Sequence, residues 1–183
     1  MGYWNTRGLR GNQLEEQINV MNEYYMQKGL AVVQKVPTPI KPIRIDQEKR
    51  VITLAYFDQK STVDYIGVVQ GISICFDAKE TSKDFLPMSN IHNHQVEFMN
   101  AFHKQGGEAF LIVYFKKYEE YYLLPIEVLD RYFKEVQLGG RKSIPYNAFE
   151  KHFLIPIEGG IYLNYLKALD YYLSLREKNN RTE

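Results

Sequence analysis

The sequence has little of several features that would assign it to large protein classes. It holds one cysteine, Cys75, so no disulfide can form within the chain, and this favours a reducing compartment. No apolar run approaches the roughly 18 residues of a membrane-spanning helix. The polar N-terminus also lacks the apolar stretch of a signal peptide. We therefore expect a cytoplasmic protein with no membrane partner.

Motifs for nucleotide-driven chemistry and for zinc are also missing. The chain has neither a glycine-rich P-loop nor a dinucleotide-binding fingerprint. His92 and His94 invite a zinc interpretation, but residues two apart on a helix point to different sides. No cysteine or third histidine has the spacing of zinc ligands. The formal net charge of +1 shows no excess of either sign, which leaves partners open because a neutral protein can carry one basic face.

The composition is that of an ordinary globular protein. Hydrophobic residues make up 45% and charged residues 25% of the 183 residues, which is enough chain for one sizeable core. We therefore expect one domain over residues 1–183. Apolar periodicity predicts a helix after the cap Asn12, further helices over residues 126–136 and 162–177, and a short one at 147–151. Strand-like runs between them predict an α/β fold, a mixed sheet flanked by helices.

The stretch over residues 60–95 combines apolar strands with charged side chains. Its pattern predicts a β-hairpin with a turn at residues 68–71 and an apolar return strand at 72–76. Asp77 and Lys79 follow on that strand two residues apart, so their side chains leave the same face of the sheet. A carboxylate and an ammonium group side by side suit a site that handles phosphate.

Two more polar residues are predicted to join this pair. Asp64 lies on the opposite arm of the hairpin. Ser89 is the predicted cap of the following helix, in which Gln95 is the only polar member of the inward stripe. That stripe consists of Ile91, Gln95, Phe98 and Phe102. A buried glutamine without partners costs about 1–3 kcal/mol, and a structural hydrogen bond to backbone would also satisfy it.

The set Asp64, Asp77, Lys79 and Gln95 is typical of a metal-dependent phosphodiesterase. Oxygen ligands without thiolate or imidazole select a hard cation, Mg²⁺ or Mn²⁺. Phosphodiester hydrolysis needs a polarised phosphate, an activated water and neutralisation of the charge that develops. Alone, an aspartate, twelve residues and then Asp-x-Lys is a weak pattern, for which surface charge is the alternative interpretation.

Basic residues cluster outside this stretch. Two strand-like runs between Gln34 and Lys60 flank a polar turn and predict a basic two-stranded projection, with a solvated hairpin as the alternative. The loop at residues 138–143 is either a phosphate contact or a surface turn. Residues 1–11 are predicted to be a flexible basic arm, which could contact a phosphate backbone or be a solvated terminus. The basic side chains concerned are Arg10, Lys35, Lys41, Arg44, Arg50, Lys60, Arg141 and Lys142.

Several motifs in collinear order resemble the RecU-type Holliday junction resolvases of the restriction-endonuclease-like nuclease superfamily. The main ones are Lys60-Ser61-Thr62-Val63-Asp64-Tyr65-Ile66-Gly67, Phe76-Asp77-Ala78-Lys79-Glu80-Thr81 and His92-Asn93-His94-Gln95. Others are Arg10-Gly11 before Leu14-Glu15-Glu16, Lys35-Val36-Pro37-Thr38-Pro39 and Gly140-Arg141-Lys142-Ser143-Ile144. The resemblance covers residues 10–165, and several independent motifs in order make it specific.

The resemblance implies a Mg²⁺-dependent homodimer, in which Mn²⁺ can substitute, that nicks two opposing strands of a four-way DNA junction symmetrically during recombination and repair. Thr62, Asp64, Asp77 and Gln95 would organise the metal, and Lys79 would stabilise the transition state. Residues 37–60 would form the family's stalk, which enters the junction centre, and Lys35 and Arg50 match its DNA-contacting positions. Recombinase or branch-migration proteins would be partners.

The chain departs from the family pattern at two places. The family usually has Glu at the position of Asp77, so we expect activity with an altered metal geometry. The family's long basic N-terminal extension corresponds here to residues 1–11, which puts accessory DNA or recombinase contacts in doubt. Two other functions stay open. One is a general duplex endonuclease of the same superfamily, and the other is a junction-binding recombination protein without cleavage.

Overall fold

The computed structural model describes residues 13–58, 62–157 and 163–180. The helices are α1 (Gln13–Gln27), α2 (Asn93–Lys104), α3 (Ile126–Gln137) and α4 (Tyr165–Asn180). The strands are β1 (Ala31–Lys35), β2 (Ile40–Asp46), β3 (Val51–Phe57), β4 (Tyr65–Val69), β5 (Ile72–Thr81), β6 (Phe85–Pro87), β7 (Glu108–Phe115), β8 (Glu120–Pro125) and β9 (Ser143–Pro145). In this part of the chain no helix is both long and apolar enough to cross a membrane.

A five-stranded mixed sheet in the order β1-β4-β5-β7-β8 is the centre of the fold. Strands β5 and β7 run parallel, while the other neighbours are antiparallel. Helix α2 makes the crossover between β5 and β7, as a parallel pair requires. Helices α1 and α4 cover one face of the sheet, and α2 and α3 cover the other. The predicted mixed sheet flanked by helices is confirmed.

Alternation along β5 separates two cores. Ile74 and Phe76 pack on the side of α1 and α4, whereas Cys75 packs on the side of α2 and α3. The Phe76 ring stacks between Tyr65 of β4 and Phe110 of β7, with centroid distances of 4.8 and 5.0 Å. Because Phe76 is fully buried, we expect its replacement by alanine to cost about 3–5 kcal/mol. This column of rings fixes the strand that carries Asp77 and Lys79.

Strands β2 and β3 form a separate two-stranded ribbon within the stalk predicted at residues 37–60. From here on, the name stalk means this ribbon, residues 40–57. Almost every residue of the stalk is exposed. Asp46 Oδ1 accepts a hydrogen bond from the Lys49 backbone N–H at 3.0 Å and holds the tip turn. Arg50 completes that turn with φ of 53°. The predicted basic two-stranded projection is therefore confirmed as a structure.

The predicted start of α2 is wrong. Ser89 lies in a 3-10 turn, and α2 begins at Asn93 with His92 as its N-cap. The cause is a distant contact, because the Met88 N–H donates to the Lys142 carbonyl at 3.1 Å and ties this segment to β9. Ile91 then stays extended, so the buried residues of α2 are Gln95, Val96 and Met99. Phe98 and Phe102 of the predicted stripe are only partly buried.

Two further boundaries differ. The short helix predicted at residues 147–151 is replaced by 3-10 turns at Tyr146–Ala148 and Lys151–Phe153, because Phe149 between them is extended and buried. The turn predicted at residues 68–71 is confined to Gln70 and Gly71, with φ of 47° and 90°. The basic arm at residues 1–11 lies outside the described residues.

Candidate active site

The two aspartates meet where the β4–β5 ladder ends. Tyr65 and Phe76 are the last pair of that ladder, so Asp64 and Asp77 are neighbours just beyond it. The Asp64 backbone N–H donates to Asp77 Oδ1 at 2.8 Å, and the Ala78 N–H donates to Asp64 Oδ2 at 3.0 Å. Each carboxylate thus accepts a hydrogen bond from a backbone N–H that belongs to the other aspartate or to its neighbour. These two bonds fix both side chains.

Lys79 completes this group from the same face of β5. Its Nζ lies 2.6 Å from Asp77 Oδ2, and its side chain is 13% exposed while that of Asp77 is fully buried. Asp77 Oδ2 accepts no well-directed hydrogen bond from the described residues, so this contact is an ion pair. A buried carboxylate oxygen without a hydrogen-bond donor has a lone pair free for a cation.

Gln95 reaches the group from α2. Its Oε1 accepts a hydrogen bond from the His92 backbone N–H at 3.1 Å and another from Lys79 Nζ at 3.3 Å. The first contact belongs to the capping of α2, so the helix start itself aims this side chain. Gln95 is buried, as predicted, and these two donors satisfy its amide oxygen.

The electrostatics favour a bound cation. Burial above all, and the nearby Asp77 charge second, raise the pKa of the Asp64 carboxyl, although the Ala78 N–H and Lys79 oppose the shift. A cation between the two carboxylates would offset both the burial of the charged carboxylate and the repulsion between the two charges. Hard oxygen donors suit Mg²⁺. Among the described residues no group of three or more His, Cys, Asp or Glu side chains could hold a metal. The other two predicted site residues also carry side-chain oxygens, Gln95 and Thr62, and Thr62 lies two residues before Asp64 and is partly exposed.

The predicted DNA contacts among the described residues belong to several elements of the fold. Lys35 on β1 forms an ion pair with Glu15 of α1, and Lys41 pairs with Asp58 at 2.9 Å. Arg44 lies opposite Leu54 in the stalk. The remaining described residues of this set are Arg50 at the stalk tip and the exposed Arg141 and Lys142 between α3 and β9. Arg10 and Lys60 lie outside the described residues.

Glu80 is a residue whose role the sequence interpretation missed. It lies on the face of β5 opposite to Lys79, where Oε1 accepts a hydrogen bond from the Leu14 N–H at 3.1 Å and Oε2 pairs with Lys116 at 2.6 Å. Glu80 therefore anchors α1 and the end of β7 to β5, directly after Lys79. Its position directly after Lys79 was the one sign in the sequence that Glu80 belongs near the site. Its anchoring role could not be predicted, because its partners are distant in the sequence.

Comparison with known proteins gives one consistent family. The family model for RecU, Recombination protein U, matches residues 9–171. A Holliday junction resolvase RecU from Levilactobacillus brevis is 44% identical over 91% of this chain and 86% of its own length. One from a Geobacillus species is 42% identical over 93% of this chain and 84% of its own.

A solved structure shows a weaker likeness. Hjc of Archaeoglobus fulgidus, a Holliday junction resolvase, covers 64% of this chain and 74% of its own at 13% identity. Its TM-score of 0.38 is too low to support a conclusion about this chain. The matches to the family model and to the curated relatives extend over nearly all of this chain, and the range matched by the family model includes the positions of Asp64, Asp77, Lys79 and Gln95. The chain belongs to the RecU family.

Proposed function

We propose that this protein is a Mg²⁺-dependent endonuclease that resolves four-way DNA junctions by paired, symmetric nicks in homologous recombination and DNA repair. Mn²⁺ is the expected substitute for Mg²⁺. One observation carries the assignment, the clasp between Asp64 and Asp77 with Lys79 held against it. The relatives named as junction resolvases support the choice of substrate.

Asp64 and Asp77 would hold the metal, with Gln95 and Thr62 completing or ordering its surroundings. Bound there, the metal would polarise the phosphate and lower the pKa of a water molecule towards neutral pH. The hydrogen bonds from the Asp64 and Ala78 N–H groups keep both carboxylates in place before any ligand arrives. Sites arranged in advance lose little energy to reorganisation during reaction.

Lys79 would face the scissile phosphate. Hydrolysis forms a bond from water oxygen to phosphorus and breaks one from phosphorus to a sugar oxygen, so negative charge builds on the transferred group. Because the Lys79 side chain is only 13% exposed, its surroundings are weakly solvated, and its attraction to that charge is stronger than in water. Gln95 Oε1, 3.3 Å from Nζ, would keep the ammonium aimed.

The stalk would select the junction. Its exposed basic side chains would contact phosphates, and a ribbon projecting from the sheet could enter the open centre of four duplex arms. Recognition of this kind depends on DNA shape more than on base edges. We assign backbone contacts to Arg10, Lys35, Lys41, Arg44, Arg50, Lys60, Arg141 and Lys142.

A homodimer would match the two-fold substrate. Two symmetric cuts call for two sites related by symmetry. The stalk also carries apolar pairs that water does not favour, Ile40 opposite Phe57 and Ile45 opposite Ile52, with Phe57 76% exposed. A lone two-stranded ribbon is marginally stable, so a second copy packed along the stalk would stabilise both.

Two aspects of the cellular role belong to the same proposal. The protein would act in the cytoplasm, which suits its one cysteine, the buried unpaired Cys75. Recombinase or branch-migration proteins would be its protein partners. A junction-binding role without cleavage is the second candidate, but the acid pair and Lys79 favour cutting.

One assay tests the proposal against both alternatives. The protein is incubated with a synthetic four-way junction or a matched linear duplex, with Mg²⁺ or with chelator. We expect paired symmetric nicks in the junction, only with Mg²⁺. Equal cutting of the duplex would indicate a general nuclease, and binding without cutting would indicate an architectural protein.

A further inference from the structure

An open cleft near the start of α2 includes Lys142, to which a DNA backbone contact is assigned above, but its other lining residues have no role in the proposed function. It has a volume of about 820 Å³ and lies between the start of α2 and the end of α3. The buried Met88 and Ile91 supply an apolar floor, the partly buried Phe133 and Val136 are also apolar, and polar side chains supply the rest of the lining. The volume of the cleft falls within the range of about 300–1,000 Å³ that is usual for sites that bind small organic groups.

A glycine turn brings a cation to the rim of this cleft. Gly139, with φ of 84°, reverses the chain after α3, and the Gly140 N–H donates to the Glu135 carbonyl at 2.8 Å. A Cβ on Gly140 would lie 2.7 Å from that carbonyl oxygen, so only glycine fits there. Lys142 follows, with its carbonyl bonded to the Met88 N–H and its exposed side chain at the cleft.

The opposite rim is joined to the candidate active site. His92 and His94 line the cleft with their rings stacked, centroids 5.3 Å apart and planes 11° apart. The His92 backbone N–H donates to Gln95 Oε1, which also contacts Lys79 Nζ. Two hydrogen bonds therefore separate the wall of the cleft from the lysine assigned to the scissile phosphate.

We propose that this cleft receives one unstacked nucleotide of the DNA strand beside the scissile phosphate. The assignment rests on the proposed function and adds a substrate contact to it. The base would lie against Phe133 and the apolar floor, since every base has a π face that stacks on aromatic rings. Lys142 would bind a phosphate of the same strand. Nucleotides at a branch point lose a stacking neighbour, so extracting one costs less than in continuous duplex.

The test uses junctions in which the fluorescent base 2-aminopurine replaces one base at a time near the cut. The full protein binds each junction in chelator, so that the DNA is held without being cut. We expect a severalfold rise in fluorescence at one position on each cut strand, because the base leaves its neighbours. Gln137→Trp, which enlarges an exposed side chain lining the cleft, should abolish that rise. It should also weaken junction affinity about tenfold, the scale of one lost base–aromatic stack.

Two variants keep this test decisive. Arg131→Trp places the same ring on an exposed position of α3 that does not line the cleft, and it should leave the rise intact. Phe133→Ala opens the cleft instead of filling it, and it should also remove the rise. Circular dichroism melting shows whether each variant is folded.

The outcomes separate this contact from the function on which it rests. Binding and cutting of the junction with no rise at any position would overturn the nucleotide cleft alone. A fluorescence rise that Gln137→Trp leaves unchanged would also overturn the nucleotide assignment. A segment of a partner protein would then be the occupant of the cleft. If the wild-type protein neither binds nor cuts the junction, the proposed function fails and the cleft assignment falls with it.

Discussion

The group that we propose to be catalytic (Asp64, Asp77, Lys79 and Gln95, called the catalytic group below) and the stalk are built in opposite ways. Asp77 is fully buried and Lys79 nearly so, and hydrogen bonds from neighbouring strands and from α2 fix the group. The stalk instead has almost no buried residue and consists of one hairpin. Contacts within this chain hold the side chains of the first region in place. The second exposes apolar and basic side chains that only another molecule can cover.

This contrast assigns separate tasks to the two regions. Chemistry requires charges placed to within a fraction of an ångström, which a buried sheet centre provides. Recognition of a branched DNA requires reach and exposed charge, which a projecting ribbon provides. We therefore expect substitutions in the catalytic group to change cutting with little effect on binding, and substitutions in the stalk to change binding, assembly and choice of substrate.

The largest expected effect is on the cutting rate. Lys79→Met should lower the single-turnover rate on a junction about 10²- to 10³-fold, because it removes a charge that we assign to the transition state. Junction affinity should change little. Since Asp77 then stays buried without its partner, the assay is run below the melting temperature of the variant. Lys83→Met, at an exposed lysine in the next loop, is the control, and an equal loss there would contradict the assignment.

The next effect is on assembly through the stalk. Phe57→Glu places a charge on the most exposed apolar side chain of the ribbon. We expect it to weaken the dimer about 30-fold or more, as for a hot-spot residue of an interface. Sedimentation over a range of protein concentrations measures the change. Thr53→Glu, also exposed on β3, should leave the dimer intact, and dissociation by both variants would argue against a specific apolar contact.

A smaller effect links pH, metal and stability through Asp64. Its raised pKa means that the folded state holds this proton more tightly than the unfolded chain. The group therefore stabilises the metal-free fold at acid pH, and this contribution is lost as the pH rises through the raised pKa. Mg²⁺ should raise the melting temperature at neutral pH more than at acid pH, because protons compete for the same oxygens.

Asp64→Asn separates this group from the other titrating residues. The variant should lose this part of the pH dependence and most of the Mg²⁺ effect, since asparagine carries no charge at either pH. Thermal melting in chelator and in Mg²⁺, for both proteins, gives the comparison. Equal Mg²⁺ stabilisation of the two proteins at neutral pH would show that the metal binds elsewhere.

The smallest effect concerns a single stalk cation. Lys41→Ala should lower the slope of log affinity against log salt by about 1 for junction DNA, since one phosphate contact is lost. Lys28→Ala, beyond the end of α1, should leave the slope unchanged. Junction affinity measured at several salt concentrations gives the slope. An unchanged slope in Lys41→Ala would mean that Asp58 keeps this lysine engaged in the complex.

Local patterns were sufficient to predict most of the catalytic group. Asp77 and Lys79 share a face because strand side chains alternate, and Asp64 meets Asp77 because a hairpin pairs neighbouring segments. Gln95 was predicted from its place among apolar residues, although the predicted cap of its helix was wrong. Sequence spacing therefore favoured the contact of the two aspartates and the shared face of Asp77 and Lys79, whereas the spacing alone was too weak to assign a site to the whole set.

Features set by distant contacts could not be predicted in this way. The start of α2 depends on the bond between Met88 and Lys142, which are far apart in the sequence. The anchoring role of Glu80 depends on Leu14 and Lys116. The cleft also needs the ends of two helices to meet. None of these pairs has a local sequence pattern, so only the fold reveals them.

One measurement addresses the division between catalytic group and stalk most directly. It is the ratio of cutting rates on a four-way junction and on a matched duplex, for the wild type and for a variant in which a short Gly-Ser linker replaces residues 40–57. We expect a high ratio for the wild type and a ratio near one for the variant, which keeps the catalytic group and some Mg²⁺-dependent cutting of both DNAs. A variant that still cuts the junction selectively would contradict the assignment of substrate choice to the stalk.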